Sequence, residues 1–427
     1  MLTVMFVLMF LLLLMGFPMM VPLIVGALAL LLASFPGVDP TQIVQQMIGG
    51  VRPSVLVAVP MFILAADIMT KGHTADRLLD LVRAFIGHRR GGLPITTAVT
   101  CTLFGAVSGS TQATVVAIGS ALRPKMLKAG YKDSFTLALL VNSSDIALLI
   151  PPSIAAIIYG VAANVSVGEL FIAGIGPGVA IMLMFSIYSW FVARRWGIEP
   201  EERVGWMGRL RAFRGAVLPM GFPVVVLGGI YSGLFSPTEA AAMSVLYALI
   251  LEMLIYRSIK FSDLPGIALS TGLITAVVFI LVGAGQAFSW VISLAQIPSE
   301  VLGPILDQVS ANPTMLLVLI AVSYFVACMF VDPIVAIFVL TPIFMPAIHA
   351  SGVDPVLVGT LVVLQSAIGS ATPPFGYDIF TAMAVFRRPY MDIVKGTPPF
   401  IIMLITMTVL LISFPQIALF LRDLAFR

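Results

Sequence analysis

Four clusters of small polar and helix-breaking residues interrupt long apolar runs in this chain of 427 residues. The first is Ser108-Gly109-Ser110-Thr111-Gln112. The second is Asn142-Ser143-Ser144-Asp145, with Pro151-Pro152-Ser153 close behind. The third is Val331-Asp332-Pro333. The fourth is Gln365-Ser366, then Gly369-Ser370-Ala371-Thr372-Pro373-Pro374-Phe375-Gly376. A proline pair donates no backbone hydrogen bond and bars regular helix at the residue before it. Helices carrying such pairs must break. A break exposes carbonyls where one half ends and N–H groups where the next begins. Carbonyls joined by Ser, Thr and Asn oxygens suit a bare hard cation such as Na+, and the N–H ends suit an anionic solute. The candidate cation ligands are Ser108, Gly109, Ser110, Asn142, Ser143, Ser144, Asp332, Ser366, Gly369, Ser370, Thr372 and Gly376. The candidate solute-binding residues are Asp145, Pro151, Pro152, Ser153, Pro373 and Pro374. For any one of them, close helix packing is the competing explanation.

The remaining charges sort by depth. Asp145, Asp332 and Asp378 lie deep in apolar sequence, where a carboxylate is costly and marks function by default. Helix capping at a break is the competing role for Asp332 and Asp378. Asp67 stands near Lys71 and reads as interfacial. Glu239 and Glu252 fall on middle helices and read as contacts to scaffold or to a partner subunit. No Lys or Arg lies mid-membrane, so an acidic solute would be balanced by cations and N–H dipoles. That favours cation-coupled symport. His73, His88 and His349 have no ligand spacing, and neither a phosphate-binding loop nor a nucleophile elbow occurs. An ATP-driven pump and a membrane enzyme have no support, and nothing suggests a nucleic-acid partner.

The elements that position these clusters are membrane helices. The chain is 60% hydrophobic and 10% charged, against about 25% charged in soluble domains. Apolar stretches 4–33 and 135–162 exceed the roughly 20 residues that cross a bilayer. The first is too long for a signal peptide and reads as one retained span. Cys101 and Cys328 sit in apolar sequence and read as small buried hydrophobes. Loops 71–92, 123–133, 194–214 and 386–397 are rich in Lys and Arg, whereas loops 163–169, 296–312 and 350–355 carry only acids, Glu300 and Asp307 among them. The positive-inside rule puts the first set in the cytoplasm. Segments 93–122 and 313–349 then begin and end on one face each, as re-entrant hairpins buried in protein would. Nine crossings remain, with the N-terminus cytoplasmic and the C-terminus periplasmic, which leaves Arg422 and Arg427 on the outer face.

Sliding the sequence on itself by 222 residues superposes Pro124 on Pro346, Gly130 on Gly352, Ser144 on Ser366 and Pro151-Pro152 on Pro373-Pro374. One hairpin opens inward and the other outward, so the repeat is inverted, a plan many secondary transporters share. The expected fold class is an all-α polytopic membrane protein with two re-entrant hairpins and two broken helices. Residues 1–70 and 194–264 form scaffold. Residues 71–193 form the first repeat, with hairpin 93–122 and broken helix 134–162. Residues 265–427 form the second, with hairpin 313–349 and broken helix 356–385.

Several runs are similar to one family throughout the chain: Phe104-Gly105-Ala106-Val107-Ser108-Gly109-Ser110, Gly168-Glu169-Leu170-Phe171, Met329-Phe330-Val331-Asp332, Leu340-Thr341-Pro342-Ile343 and Thr372-Pro373-Pro374-Phe375-Gly376. The chain resembles the large membrane subunit of tripartite ATP-independent periplasmic (TRAP) transporters. The resemblance implies an elevator-type fold and sodium-driven symport of an organic acid. It implies a small four-helix membrane subunit and a periplasmic substrate-binding protein as partners, in the lipid bilayer of a bacterial inner membrane. Sodium sites would lie at the hairpin tips and broken helices. The chain departs from the common pattern at Thr114, where Asp is frequent, at Ala147-Leu148 in place of Gly-Pro, and at Pro333 in place of Thr. The Ser-Gly-Ser-Thr-Gln and Asn-Ser-Ser-Asp variants look like the sialic-acid branch. A C4-dicarboxylate permease of the same family, a stand-alone divalent-anion/sodium symporter and a channel subunit are the competing readings.

Overall fold

A computed structural model describes residues 2–297 and 312–426. Glu300 and Asp307 lie outside them. Every regular element among the described residues is helical.

The apolar stretch 4–33 is two helices, not the single span expected. Helix α1 (Leu2–Leu14) ends before Gly16, whose φ of +81° is a left-handed conformation that favours glycine, and Pro18 follows. Helix α2 (Met20–Ser34) then folds back, with its Gly26 against Met5 and Met9. Short α3 (Thr41–Gly50) leads to α4 (Ala58–Lys71) and α5 (Thr74–Ile86).

The first hairpin is α6 (Gly92–Ser108) and α7 (Thr111–Lys128), joined at Gly109 and Ser110. The first broken helix is α8 (Asp133–Ser144), a short turn at Asp145–Leu148, the double proline, and α9 (Ile154–Ala163), capped by the Ser153 hydroxyl. Helices α10 (Val167–Arg195), α11 (Trp206–Tyr231) and α12 (Pro237–Leu249) follow, and α12 runs on into a wider turn at Ile250–Ile255. Helix α13 (Leu264–Leu294) is the last helix described before the second hairpin.

The second hairpin is α14 (Pro313–Phe330) and α15 (Pro333–Ser351). The second broken helix is α16 (Pro355–Ser370) and α17 (Tyr377–Phe386), separated by the other double proline. Short α18 (Tyr390–Val394), α19 (Pro398–Ser413) and α20 (Gln416–Ala425) complete the chain. Three of these helices start alike. Asn312, Asp332 and Asp354 each accept from backbone amides of the first turn, and each is followed by a proline at the first helical position. Proline costs nothing there because that N–H has no helical partner. Pro333, a departure from the family pattern, is thereby the start of α15.

The 222-residue repeat is visible element by element. Helices α6 to α9 correspond to α14 to α17, and Gly130 and Gly352 both take left-handed backbone after their hairpins. Both double prolines carry a cis bond. Ion pairs fix which ends share a face. Asp133, the first residue of α8, holds Arg123 at 2.8 Å and Arg388 at 2.9 Å. At the other end of the broken helix, Arg422 pairs with Asp354 at 2.7 Å and Glu169 at 3.6 Å. The first hairpin therefore opens on the Asp133 face and the second on the Asp354 face.

Helices α14 and α15 are each long enough to cross a bilayer, so length alone does not make them re-entrant. The tips decide it. Both tips line one interior cavity, although their hairpins enter from opposite faces. Each must stop partway. By length and apolar character seven described helices can cross, or eight with the bent pair α19–α20. Taking out the two helices of the second hairpin and adding the two broken helices, whose halves are individually short, gives eight; the ninth crossing expected from sequence was the stretch 4–33, which is two helices here.

Around this core, α4 packs on α12, α5 on α11, and α13 on α2, α3 and α4. Helix α13 also meets α15, where Ser289 donates to the Phe338 carbonyl. Glu252, read from sequence as a scaffold contact, is fully buried. It accepts from the Thr74 hydroxyl at 2.7 Å, the Ser258 hydroxyl at 2.5 Å and the His73 amide at 3.2 Å. It ties the start of α5 to the end of α12. Cys101 and Cys328 are buried free thiols.

Candidate functional site

The first tip is built from its own hydroxyls. Thr114 donates to the Ser110 carbonyl at 2.8 Å, and the Ser108 and Thr114 hydroxyls lie 3.1 Å apart. Ser110 caps α7 by accepting from the Ala113 amide at 3.3 Å. Gly109 turns the chain at φ +59°, with its α-carbon facing the Pro152 carbonyl. A side chain there would push the tip off the break. Gly105, one turn back, lies in the same way against Ala147. Helix α6 and the first break are thus held in close register by glycine.

The second tip rests on the second break through Cys328. Gly369 has no side chain where Cys328 sits, and the Cys328 thiol donates to the Ser366 hydroxyl at 3.7 Å. Phe330 packs on Phe375, ring centres 5.8 Å apart.

The two repeats are then joined by polar side chains. The Thr111 hydroxyl donates to Asp378 at 2.7 Å and lies 2.9 Å from the Tyr377 hydroxyl. The Ser370 hydroxyl lies 3.1 Å from Asp145 Oδ1 and 2.8 Å from the Ala367 carbonyl. Asp145 and Asp378 are at most 1% exposed.

Some oxygens in this cluster have no protein partner among the described residues: Asn142 Oδ1, Ser143 Oγ, Asp145 Oδ2 and Asp378 Oδ2. A buried oxygen left unpaired costs about 1–3 kcal/mol, and more when charged. Asn142 Nδ2, Ser144, Ser366 and Thr372 turn their donors onto carbonyls four residues back in their own helices. Oxygens freed in this way fit a hard cation that takes carbonyl, hydroxyl and carboxylate ligands.

The sequence candidates fall in two layers. Ser108, Gly109, Ser110 and Asp332 line the cavity. Asn142, Ser143, Ser144, Asp145, Pro151, Pro152 and Ser153 lie buried behind the tips, as do Ser366, Gly369, Ser370, Thr372 and Gly376. Pro373 is partly buried and Pro374 exposed. None of the residues named as solute-binding lines the cavity.

The cavity itself is about 460 Å³, within the usual range for small-molecule sites. One wall is the two tips with Gln112 and Tyr377. The opposite wall is α4 and α13, which contribute Ile63, Asp67, Ile274 and Val278. Asp67 is not merely interfacial as expected: it faces the cavity and accepts from Thr271 at 2.8 Å. A larger cavity of about 860 Å³ lies between α5 and α11, among charged residues such as Arg77, Arg83 and Glu201, away from both tips. Sequence reading missed Tyr377, and it placed Thr111 in the first polar cluster without giving it a ligand role. Each is the first residue of the helix that follows a tip or a break.

A family profile described as "Tripartite ATP-independent periplasmic transporter, DctM component" matches residues 6–417. The ectoine TRAP transporter large permease protein TeaC of Halomonas elongata is 62% identical over 417 residues, covering 97% of each chain. The ectoine/5-hydroxyectoine TRAP transporter large permease protein UehC of Ruegeria pomeroyi is also 62% identical, covering 99% of this chain and 98% of its own. The sialic acid TRAP transporter large permease protein SiaM of Vibrio cholerae is 33% identical, covering 96% and 95%. Among solved structures, the Alcanivorax borkumensis YdaH transporter superposes with a TM-score of 0.62 at 16% identity, over 88% of this chain and 87% of its own. That likeness speaks to the fold.

Proposed function

The chain belongs to the DctM component family of tripartite ATP-independent periplasmic transporters, and from that premise we propose that its cargo is a compact zwitterion of the ectoine class. The observation that carries this is the 62% identity to two ectoine permeases along nearly the whole chain. The sialic-acid expectation is withdrawn in its favour, since that relative stands at 33%. Ectoine carries one carboxylate and a delocalised amidinium. A C4-dicarboxylate carries two negative charges, and among the described residues no Lys, Arg or His lines the tip cavity to receive them.

Transport is driven by sodium in this proposal. Ser108, Gly109, Ser110, Asn142, Ser143 and Ser144 would hold one ion, and Asp332, Ser366, Gly369, Ser370, Thr372 and Gly376 another. The unpartnered oxygens of Asn142 and Ser143 support the first assignment. A bound cation supplies positive charge that offsets these oxygens and the solute carboxylate. The tip hydroxyls and the first amides of α7 orient that carboxylate, and the apolar wall excludes water. Tips, broken helices and solute move together against α4, α11, α12 and α13, as an elevator. A small four-helix membrane subunit steadies the fixed helices, and a periplasmic binding protein delivers the solute. The site is the bacterial inner membrane, with the Asp133 face cytoplasmic and the Asp354 face periplasmic.

The test is uptake of radiolabelled ectoine into proteoliposomes holding this chain, its small subunit and its binding protein. Uptake that needs an inward sodium gradient and the binding protein, and is not displaced by sialic acid, supports the reading. Sialic-acid uptake without ectoine uptake overturns the solute. Ectoine uptake indifferent to sodium overturns the coupling.

A further inference from the structure

The charges around the tip cavity are one-sided. Among the described residues two carboxylates line it, Asp332 from the second tip and Asp67 from α4, and no Lys, Arg or His does. They stand on different walls. Asp332 already accepts from the Ile334 amide at 2.8 Å as the cap of α15. Among the described residues Asp67 accepts one hydrogen bond, through Oδ2 from Thr271 on α13. Lys71 is one turn further along α4 and lines a separate surface cavity with Ser258 and Asp263. Asp67 thus keeps acceptor capacity turned toward the space the solute would fill. The facing wall offers uncommitted donors, the Gln112 amide and the Ser110 hydroxyl, whereas the Thr111 hydroxyl hydrogen goes to Asp378 and that of Tyr377 to Thr111. A carboxylate facing donors across an apolar gap is polarised for a ligand with a cationic group at one end and an anionic group at the other. A plain organic acid would leave Asp67 unmatched in a water-poor site, at a cost.

We propose that Asp67 is a specificity-determining residue that pairs with the cationic group of a zwitterionic solute, from the wall opposite the hairpin tips. This rests on the zwitterion reading above and deepens it. An amidinium offers two parallel N–H groups, which a carboxylate accepts as a fork, so the pairing fixes orientation as well as charge. Because α4 belongs to the wall opposite the tips, the contact exists only while the tips face it. Asp67 would then act in one position of the transport cycle.

The experiment titrates the purified full-length chain in nanodiscs, in saturating sodium chloride, with three probes. Ectoine has both charges, cyclohexanecarboxylate only the anion, and benzamidine only the amidinium. The expected result is that Asp67→Asn weakens ectoine and benzamidine by roughly tenfold or more. Cyclohexanecarboxylate is unmoved, and Asp67→Glu recovers most of the loss. Wild-type ectoine affinity in Asp67→Asn overturns the proposal, and so does equal weakening of all three probes, which would mark a structural role. If Asp67→Asn does not fold, Asp67→Ser decides on the same terms: weakened ectoine and benzamidine with cyclohexanecarboxylate unmoved supports the pairing, and wild-type ectoine affinity overturns it. A wild type that ignores ectoine but binds benzamidine through Asp67 sinks the ectoine reading and keeps the site. A wild type that binds ectoine with Asp67 indifferent does the reverse.

Discussion

Thr111, in the first hairpin tip, donates its hydroxyl hydrogen to Asp378 at 2.7 Å across 267 residues of sequence. The bond joins the start of α7 to the start of α17, and so one repeat to the other. It also supplies one of the few partners of a buried carboxylate. Thr111→Val keeps the shape and removes the donor. It should lower stability by about 1–3 kcal/mol, the cost of unpairing a buried charged acceptor. Thr111→Ser should stay near wild type. Thermal unfolding in nanodiscs checks both, and equal melting points for Val and wild type would show the bond carries nothing.

That bond was not legible in the sequence, and the reason is general. Hairpins and breaks announce themselves locally, through loop charge, proline pairs and a repeat that doubles each signal. The partner of a polar residue in the other repeat does not. Thr111 and Tyr377 have no match in the 222-residue register, because the contact lies across the axis relating the repeats. Asp67 was misjudged by its neighbour Lys71, four residues away. In a helix that spacing is one turn, enough to separate a lipid–water edge from a cavity wall. The stretch 4–33 misled in a simpler way. Gly16 and Pro18 stop a helix, yet hydropathy sums straight through them.

Glu252 makes a second cross-link, outside the repeats. Its carboxylate receives the Thr74 and Ser258 hydroxyls and the His73 amide, and Gly72 has no side chain because that carboxylate occupies the space. Glu252→Gln keeps the volume but turns an amide toward three donors. A loss of about 1–3 kcal/mol follows from the weakened and mismatched bonds. Hydrogen exchange should quicken first at residues 72–76. Uniform exchange across the chain would show that Glu252 supports the whole fold and not this junction.

Arg422 explains how a basic residue sits on the face otherwise lined by acids. It pairs with Asp354 and Asp423, each at 2.7 Å, and lies 3.6 Å from Glu169. Two of these acids belong to opposite repeats, so Arg422 fastens α20 to both. The pairs are partly exposed, and Arg422→Met should cost only about 1 kcal/mol. The sharper readout is local. Carboxypeptidase should trim Arg422→Met from the C-terminus faster than wild type, and high salt should narrow the gap by weakening the wild-type clamp. Trimming at equal rates in low salt would dismiss the clamp.

Asn142 separates a structural role from a ligand role. Its amide nitrogen donates to the Ala138 carbonyl at 2.8 Å, while its Oδ1 has no partner. If Oδ1 serves only to fill space, Asn142→Ala removes a costly unpaired oxygen and stability without sodium should hold or rise. If Oδ1 holds the cation, the loss appears only when sodium is present. The expected outcome is therefore a split. Melting temperature in choline chloride stays near wild type, while the sodium-induced rise seen in wild type shrinks. The concentration giving half of that rise should increase by about tenfold, the effect of losing one ligand worth roughly 1.4 kcal/mol. Ser366→Ala gives the parallel test at the second break, where the hydroxyl accepts from Cys328 and donates to Val362. Sodium curves identical to wild type in both variants would remove these residues from the cation sites, and with them the assignment of one ion to each break.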